Sequence, residues 1–227
     1  MSRAREVSER DIRVPPLNLQ GVLAAPVPPS GLIVFAHGSG SSRSSPRNLE
    51  VARALNEAGF ATLLFDLLTR EEERDRRNVF DIDLLAGRLS ATISWIDQDP
   101  ALSKLPLGLF GASTGAAAAL KAAAWLGARV GAVVSRGGRP DLASQVLPAV
   151  RAPTLLVVGG DDHEVLKLNE MALAKLGTKK ALRVVPGATH LFAEPGALEA
   201  VSQYAAEWFG DCLRAESGRA TARDAQR

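Results

Sequence analysis

The chain has a single cysteine, Cys212, in 227 residues, so it cannot close an internal disulfide. Cys212 lies in an amphipathic C-terminal stretch with no histidine or orienting group beside it in the sequence, and it reads as a half-buried structural thiol. No apolar run approaches the roughly 20 residues that a membrane span needs. The start, MSRAREVSERDIRV, is charged and lacks an apolar core, so it does not read as a secretory signal; a cytoplasmic location is the default expectation. Nor does charge of either sign dominate. Lysine plus arginine number 27 against 25 for aspartate plus glutamate, a formal net charge of +2, which argues against nucleic acid or a membrane surface as the main partner. Oligomeric state is left open. There is no composition break and no internal repeat. The expected organisation is one domain over 1–213, a length suited to one hydrophobic core, followed by a tail over 214–227. That tail, AESGRATARDAQR after Leu213, lacks apolar periodicity and is expected to be disordered.

What is present is an alternation of two patterns. Short apolar segments bounded by Gly, Pro or Asp read as buried strands at Leu32–Ala36, Ala61–Phe65, Leu107–Phe110, Val130–Ser135, Thr154–Val158 and Ala181–Val185. Helix-like stretches lie between and after them: Pro46–Ala58, Ile82–Asp97, Ser113–Leu126, Pro140–Val150, Val165–Leu176 and Pro195–Leu213. The predicted architecture is an α/β fold whose mostly parallel central sheet carries helices on both faces. Ile12–Val14 and Leu17–Leu23 read as an antiparallel lead-in at one edge. The charge run over 69–77, TREEERDRR, reads as solvated surface.

The strongest chemical signal is Gly111-Ala112-Ser113-Thr114-Gly115. It follows the apolar run LPLGLF and precedes AAAALKAAAWL, which is the strand, tight turn and helix that a nucleophile elbow requires. The turn strains the serine, so the residues two before and two after it must be small, and both are glycine. The following helix aims its N-terminal amides at the reacting centre. A bare G-x-S-x-G is common by chance; its context gives this one weight.

Serine is a weak nucleophile unless a base takes its proton. Of the three histidines, only His190, in the loop after the last strand, follows both the serine and an acid in the order nucleophile, acid, histidine. The acid belongs in the loop Gly159-Gly160-Asp161-Asp162-His163-Glu164-Val165, where it would hold the imidazole tautomer and stabilise the imidazolium. Asp161, Asp162 and Glu164 compete there. Asp162 is favoured because Asp-x-x-Val then starts the next helix in register with its apolar face; Asp161 is the main rival, and the losing aspartate would cap the helix.

Acyl transfer also needs an oxyanion hole. The expected donors are the backbone N–H of Thr114, after the nucleophile, and that of Ser39, in the loop His37-Gly38-Ser39-Gly40-Ser41-Ser42. His37 then orients this turn by hydrogen bonding. The same loop faintly resembles the start of a dinucleotide fingerprint, with Gly38, Gly40 and a later Asp66, but Arg43 stands where the third glycine belongs. It also lacks the Gly-Lys-Ser/Thr of a P-loop. Arg136, at the end of one predicted strand, and Arg43, with Arg47 after another, are placed near the crevice at the strand carboxyl ends. They are candidates for holding a substrate carboxylate or phosphate; pairing with Glu71–Asp75 is the bland alternative.

HGSGSS, GASTG, GGDDHEV and GATHLF, in that order and at that spacing over about Leu32 to Leu213, resemble the α/β-hydrolase superfamily, and within it the small lidless members that are dienelactone-hydrolase-like. The resemblance implies an α/β-hydrolase fold without a cap domain, with only about Leu67–Asp81 able to cover the site. It implies a hydrolase that cleaves a carboxylic ester or related acyl bond of a small-molecule substrate, through an acyl-enzyme on Ser113, Asp162 and His190, without metal or organic cofactor. Dienelactone hydrolases proper use a cysteine nucleophile where this chain has serine, so their substrate is not implied. A thioesterase or acyltransferase on the same triad, or a catalytically silent fold used for binding, are the rival readings.

Overall fold

The computed structural model describes residues 6–224, with side chains as far as Leu213. Its centre is an eight-stranded sheet in the order β1-β2-β4-β3-β5-β6-β7-β8. The strands are β1 (Val7–Val14), β2 (Leu19–Pro26), β3 (Leu32–Ala36), β4 (Ala61–Phe65), β5 (Leu107–Ala112), β6 (Ala132–Arg136), β7 (Thr154–Gly159) and β8 (Lys180–Val185). β1 pairs antiparallel with β2, and β2 with β4; every other pair is parallel. The helices are α1 (Pro46–Glu57), α2 (Arg76–Phe80), α3 (Ile82–Ile96), α4 (Thr114–Leu126), α5 (His163–Lys175) and α6 (Ala197–Asp224).

Strand residues alternate between the two faces of the sheet. Val34, Leu63, Leu109, Val133 and Leu156 pack with Leu85, Leu89, Ile93 and Leu120 from α3 and α4. Ile33, Leu64, Phe110, Val134 and Val157 pack with Val51 and Leu55 of α1 and Val201 and Phe209 of α6. Because β3 to β7 are covered on both faces, their residues are buried at nearly every position, which is why they read as continuous apolar runs. β8 differs. It is an edge strand, and five of its six residues keep some exposure, although its sequence suggests a fully buried strand.

Two helical expectations are corrected. The stretch from Pro140 to Val150 is not an α-helix but two 3₁₀ turns, Pro140–Ala143 and Leu147–Ala149; Pro148 removes an amide donor and its ring clashes with the preceding turn. At the other end, α6 does not stop at Leu213 but runs to Asp224, through residues expected to be disordered. Ala, Glu and Arg in that stretch favour helix without needing an apolar face; 225–227 lie outside the described residues. No helix among the described residues is long and apolar enough to cross a membrane.

Candidate active site

The parallel strands share one carboxyl-terminal edge, and the loops that leave it carry the chemistry. β5 ends at Ala112 and α4 begins at Thr114, so Ser113 alone makes the turn. Its φ of 52° and ψ of −120° lie where a residue with a Cβ is strained by about 1–3 kcal/mol. The turn is this sharp because its flanks lack side chains. A Cβ on Gly115 would lie 2.2 Å from the Ala36 carbonyl oxygen, and one on Gly111 would lie 2.4 Å from Ala116 Cα. The Ser113 backbone is clamped: its N–H donates to the Arg136 carbonyl, and its carbonyl accepts from the Arg139 N–H, each at 3.1 Å. The strain therefore holds the hydroxyl at the sheet edge, before the first turn of α4.

His190 lies in the loop between β8 and α6, and its Nδ1 is 2.6 Å from Asp162 Oδ2. Asp162 sits at the N-cap position of α5, yet its side chain caps nothing there, because the carboxylate faces the imidazole instead. Asp161 is exposed; its N–H donates to the Ala188 carbonyl at 3.0 Å. Its side chain makes no hydrogen bond among the described residues, so it does not supply the expected helix cap. His163 and Glu164 are exposed in the first turn of α5. The loops bring the imidazole close to the elbow. A Cβ on Gly137 would lie 3.6 Å from His190 Cε1, and Gly137 follows Arg136, which holds the Ser113 N–H. No hydrogen bond joins the Ser113 hydroxyl to His190 in this structure; such contacts commonly tighten only when substrate is in place.

His37 is buried, and both ring nitrogens are engaged. Nε2 accepts from the Leu67 N–H at 3.0 Å, so the proton is on Nδ1, which donates to the Gly38 carbonyl at 3.1 Å. Burial holds its pKa below the ordinary 6.5, against smaller opposing effects from the Gly38 bond and from Asp66 and Glu73. It is a neutral tie between the loop after β3 and the loop after β4, as its place in the sequence suggests. That tie sets the Gly38 backbone against the elbow: a Cβ on Gly38 would be 3.1 Å from Ser113 Cβ.

The two expected oxyanion donors flank this contact, with one addition the sequence did not signal. The Ser39 N–H donates to the Thr114 hydroxyl at 2.9 Å, while the Thr114 N–H, in the first turn of α4, has no acceptor within its own helix. Beside them opens a cavity of about 380 Å³, lined by the 37–42 loop and by Leu67, Leu68, Glu73, Val79 and Leu85. The segment expected to cover the site does supply its wall. The charge run within it is more than solvated surface: Glu72 accepts from Arg88 at 2.6 Å and from the Thr69 N–H at 2.9 Å, which fixes the wall to α3.

The arginines separate into two kinds. Arg43, a candidate for a substrate anion, is already engaged. Its N–H and guanidinium bind Asp66, and its Nη2 donates to Gln20 Oε1 at 2.8 Å. That ties it toward β2 and β4, and the expectation for Arg43 is corrected. Arg136 is buried and makes no side-chain hydrogen bond or ion pair among the described residues. Among the described residues, no group of three or more His, Cys, Asp or Glu is placed to hold a metal ion.

Comparison with known proteins agrees with this architecture. A family model described as "Dienelactone hydrolase family" matches residues 19–211. A crystal structure described as dienelactone hydrolase from Anabaena variabilis is 52% identical, with a TM-score of 0.88, covering 93% of this chain and 100% of that one. Est1E from Butyrivibrio proteoclasticus shares the fold at 16% identity, with a TM-score of 0.74 and coverage of 89% and 99%. A Mycobacterium tuberculosis protein named "Putative phosphoribosyl transferase" is 60% identical over 198 residues, 87% of this chain. This chain spans 45% of that relative's length.

Proposed function

The chain belongs to the dienelactone hydrolase family, and from that premise we propose that it is a serine hydrolase cleaving a carboxylic ester or related acyl bond through an acyl-enzyme on Ser113. The observation that carries this reading is the 2.6 Å Asp162–His190 bond in the loops beside a serine held at φ 52°. A carboxylate on Nδ1 leaves Nε2 free to act as the base. His190 takes the Ser113 proton as the oxygen attacks the carbonyl carbon. The negative charge on the carbonyl oxygen is met by the Thr114 N–H at the positive end of α4. It is also met by the Ser39 N–H, which turns to it from the Thr114 hydroxyl. As the tetrahedral species collapses, the imidazolium returns the proton to the leaving alcohol. His190 then deprotonates a water that attacks the acyl-enzyme, and the imidazolium returns that proton to the Ser113 oxygen as the acid departs. Every proton moves through protein groups and water.

The transferase name belongs to whole proteins of which this chain spans less than half. The chemistry assigned to this segment is acyl hydrolysis. The test is Ser113→Ala in p-nitrophenyl acetate hydrolysis, with circular dichroism as the folding control. Turnover should vanish while the fold is kept; a folded variant with wild-type turnover removes Ser113 from the mechanism.

A further inference from the structure

We infer that Arg136 and Arg47 form a subsite for an oxyanion, a carboxylate or phosphate carried by the substrate, immediately beside the elbow. The inference rests on the reading of Ser113 as the nucleophile and adds the substrate class to it. Arg136 is the last residue of β6 and pairs in register with Ala112, the residue before Ser113. Its backbone carbonyl receives the Ser113 N–H. By strand alternation its side chain lies on the same face as Ala132 and Val134, the face covered by α1 and α6. Arg47 lies in the first turn of α1, one of the two helices that cover that face.

A guanidinium this deep ordinarily has a carboxylate or several carbonyls around it. Arg136 is 8% exposed, and its Nη1 is buried without a hydrogen-bond partner. Nε of Arg47 is in the same condition, and so is Oδ1 of the neighbouring buried Asn48. Neither arginine makes an ion pair with any described residue. Burial, and to a lesser degree the Arg47 charge, push the Arg136 pKa down to about 10, so it stays cationic near neutrality. The first turn of α1 adds no acid and no side-chain cap, so nothing there offsets the positive end of its dipole. The other arginines near this edge differ: Arg43 is held by Asp66, and Arg139 by Asp141 at 2.8 Å. A buried guanidinium with a second, half-buried one on the same face and no counter-ion costs free energy, and an arriving oxyanion that takes the free N–H groups offsets that cost. Arg136 is also close to the chemistry, since a Cβ on the next residue, Gly137, would lie 3.3 Å from the His190 carbonyl oxygen.

The test uses two esters with one leaving group, mono-p-nitrophenyl succinate, which carries a free carboxylate, and neutral p-nitrophenyl butyrate. Arg136→Gln should lower kcat/KM for the succinate ester by roughly 10- to 100-fold more than for the butyrate ester, the range expected for a lost charged hydrogen bond. Arg47→Gln, a half-buried substitution on α1 that the fold tolerates more readily, should act in the same direction. Equal losses on both esters, or none on either, overturn the subsite. Calorimetric titration of succinate and of inorganic phosphate into wild-type and Arg136→Gln protein reads the arginines without any turnover. Binding seen in wild type and lost in the variant supports the subsite, and the tighter anion tells carboxylate from phosphate. Anions that bind neither protein, or both equally, overturn it. Should wild type hydrolyse neither ester, the nucleophile reading fails, while the titration still decides the anion site.

Discussion

Replacing Asp162 by asparagine should abolish nearly all turnover while barely changing the shape of the site. The carboxylate lies 2.6 Å from His190 Nδ1 and its side chain is 14% exposed, against 39% for the imidazole. Water therefore has little access with which to replace it. With the carboxylate in place, Nδ1 carries the proton and Nε2 is free for Ser113. An asparagine amide can instead donate to Nδ1, which puts the proton on Nε2, the nitrogen that must act as base. It also removes the charge that stabilises the imidazolium. Loss of the correct tautomer in a triad of this kind costs about 10⁴ in kcat, or about 5.4 kcal/mol of transition-state stabilisation. Steady-state hydrolysis of p-nitrophenyl acetate by wild type, Asp162→Asn and Asp161→Asn measures it. Asp161→Asn should stay close to wild type, because that exposed side chain touches nothing in the site. An Asp162→Asn variant within about tenfold of wild type (1.4 kcal/mol), or an Asp161→Asn variant equally impaired, would refute the assignment of the acid.

Other outcomes follow from the same geometry. Gly115→Ala should destabilise the fold by about 3 kcal/mol or more, since the new Cβ must displace the Ala36 carbonyl from 2.2 Å and overpacking against backbone cannot be relieved by a rotamer change. In a chain of this size, thermal melting should fall by roughly 6–12 °C, and an unchanged melting temperature would mean the elbow is looser than described. His37, whose pKa burial lowers, is neutral in the fold but gains a proton when unfolded below its ordinary value of 6.5. Its contribution is therefore complete above that value and is lost as pH falls toward the depressed folded pKa. Denaturant midpoints should drop more steeply below about pH 6.5 in wild type than in His37→Gln; parallel curves would contradict the buried neutral tie. Finally, the cavity of about 380 Å³ is small for a ligand site, so acetate and butyrate esters should give higher kcat/KM than laurate. A clear preference for laurate would require a groove outside that cavity.

The parallel part of the fold was legible because burial on both faces forces continuous apolar strands. Leu32–Ala36 and Ala61–Phe65 are observed with the bounds their sequence predicts. The elbow was legible for a steric reason, as only glycine fits at 111 and 115. The pairing of Asp162 with His190 was less so: adjacent aspartates share one loop, and only the backbone path of β7 into α5 turns one toward the imidazole and the other to solvent. Two features lay beyond reach because they depend on contacts far apart in the chain. The Thr114 hydroxyl meets the Ser39 N–H across 75 positions, and nothing in either residue's neighbours signals it. Arg43 and Arg136 looked alike as cations after strands, yet Asp66 neutralises the first and Gln20 accepts from it, while Nη1 of the second is buried without a partner. The same limit applies to Pro140–Val150, where apolar spacing suggested a helix that Pro148 forbids.

Whether Ser113 is an activated nucleophile is read by labelling with a fluorophosphonate, followed by intact mass and peptide mapping. Stoichiometric addition to Ser113 is expected in the native protein, lost on denaturation and in Ser113→Ala, and strongly slowed in Asp162→Asn. No labelling of native protein, or a label mapped to any other residue, would contradict it.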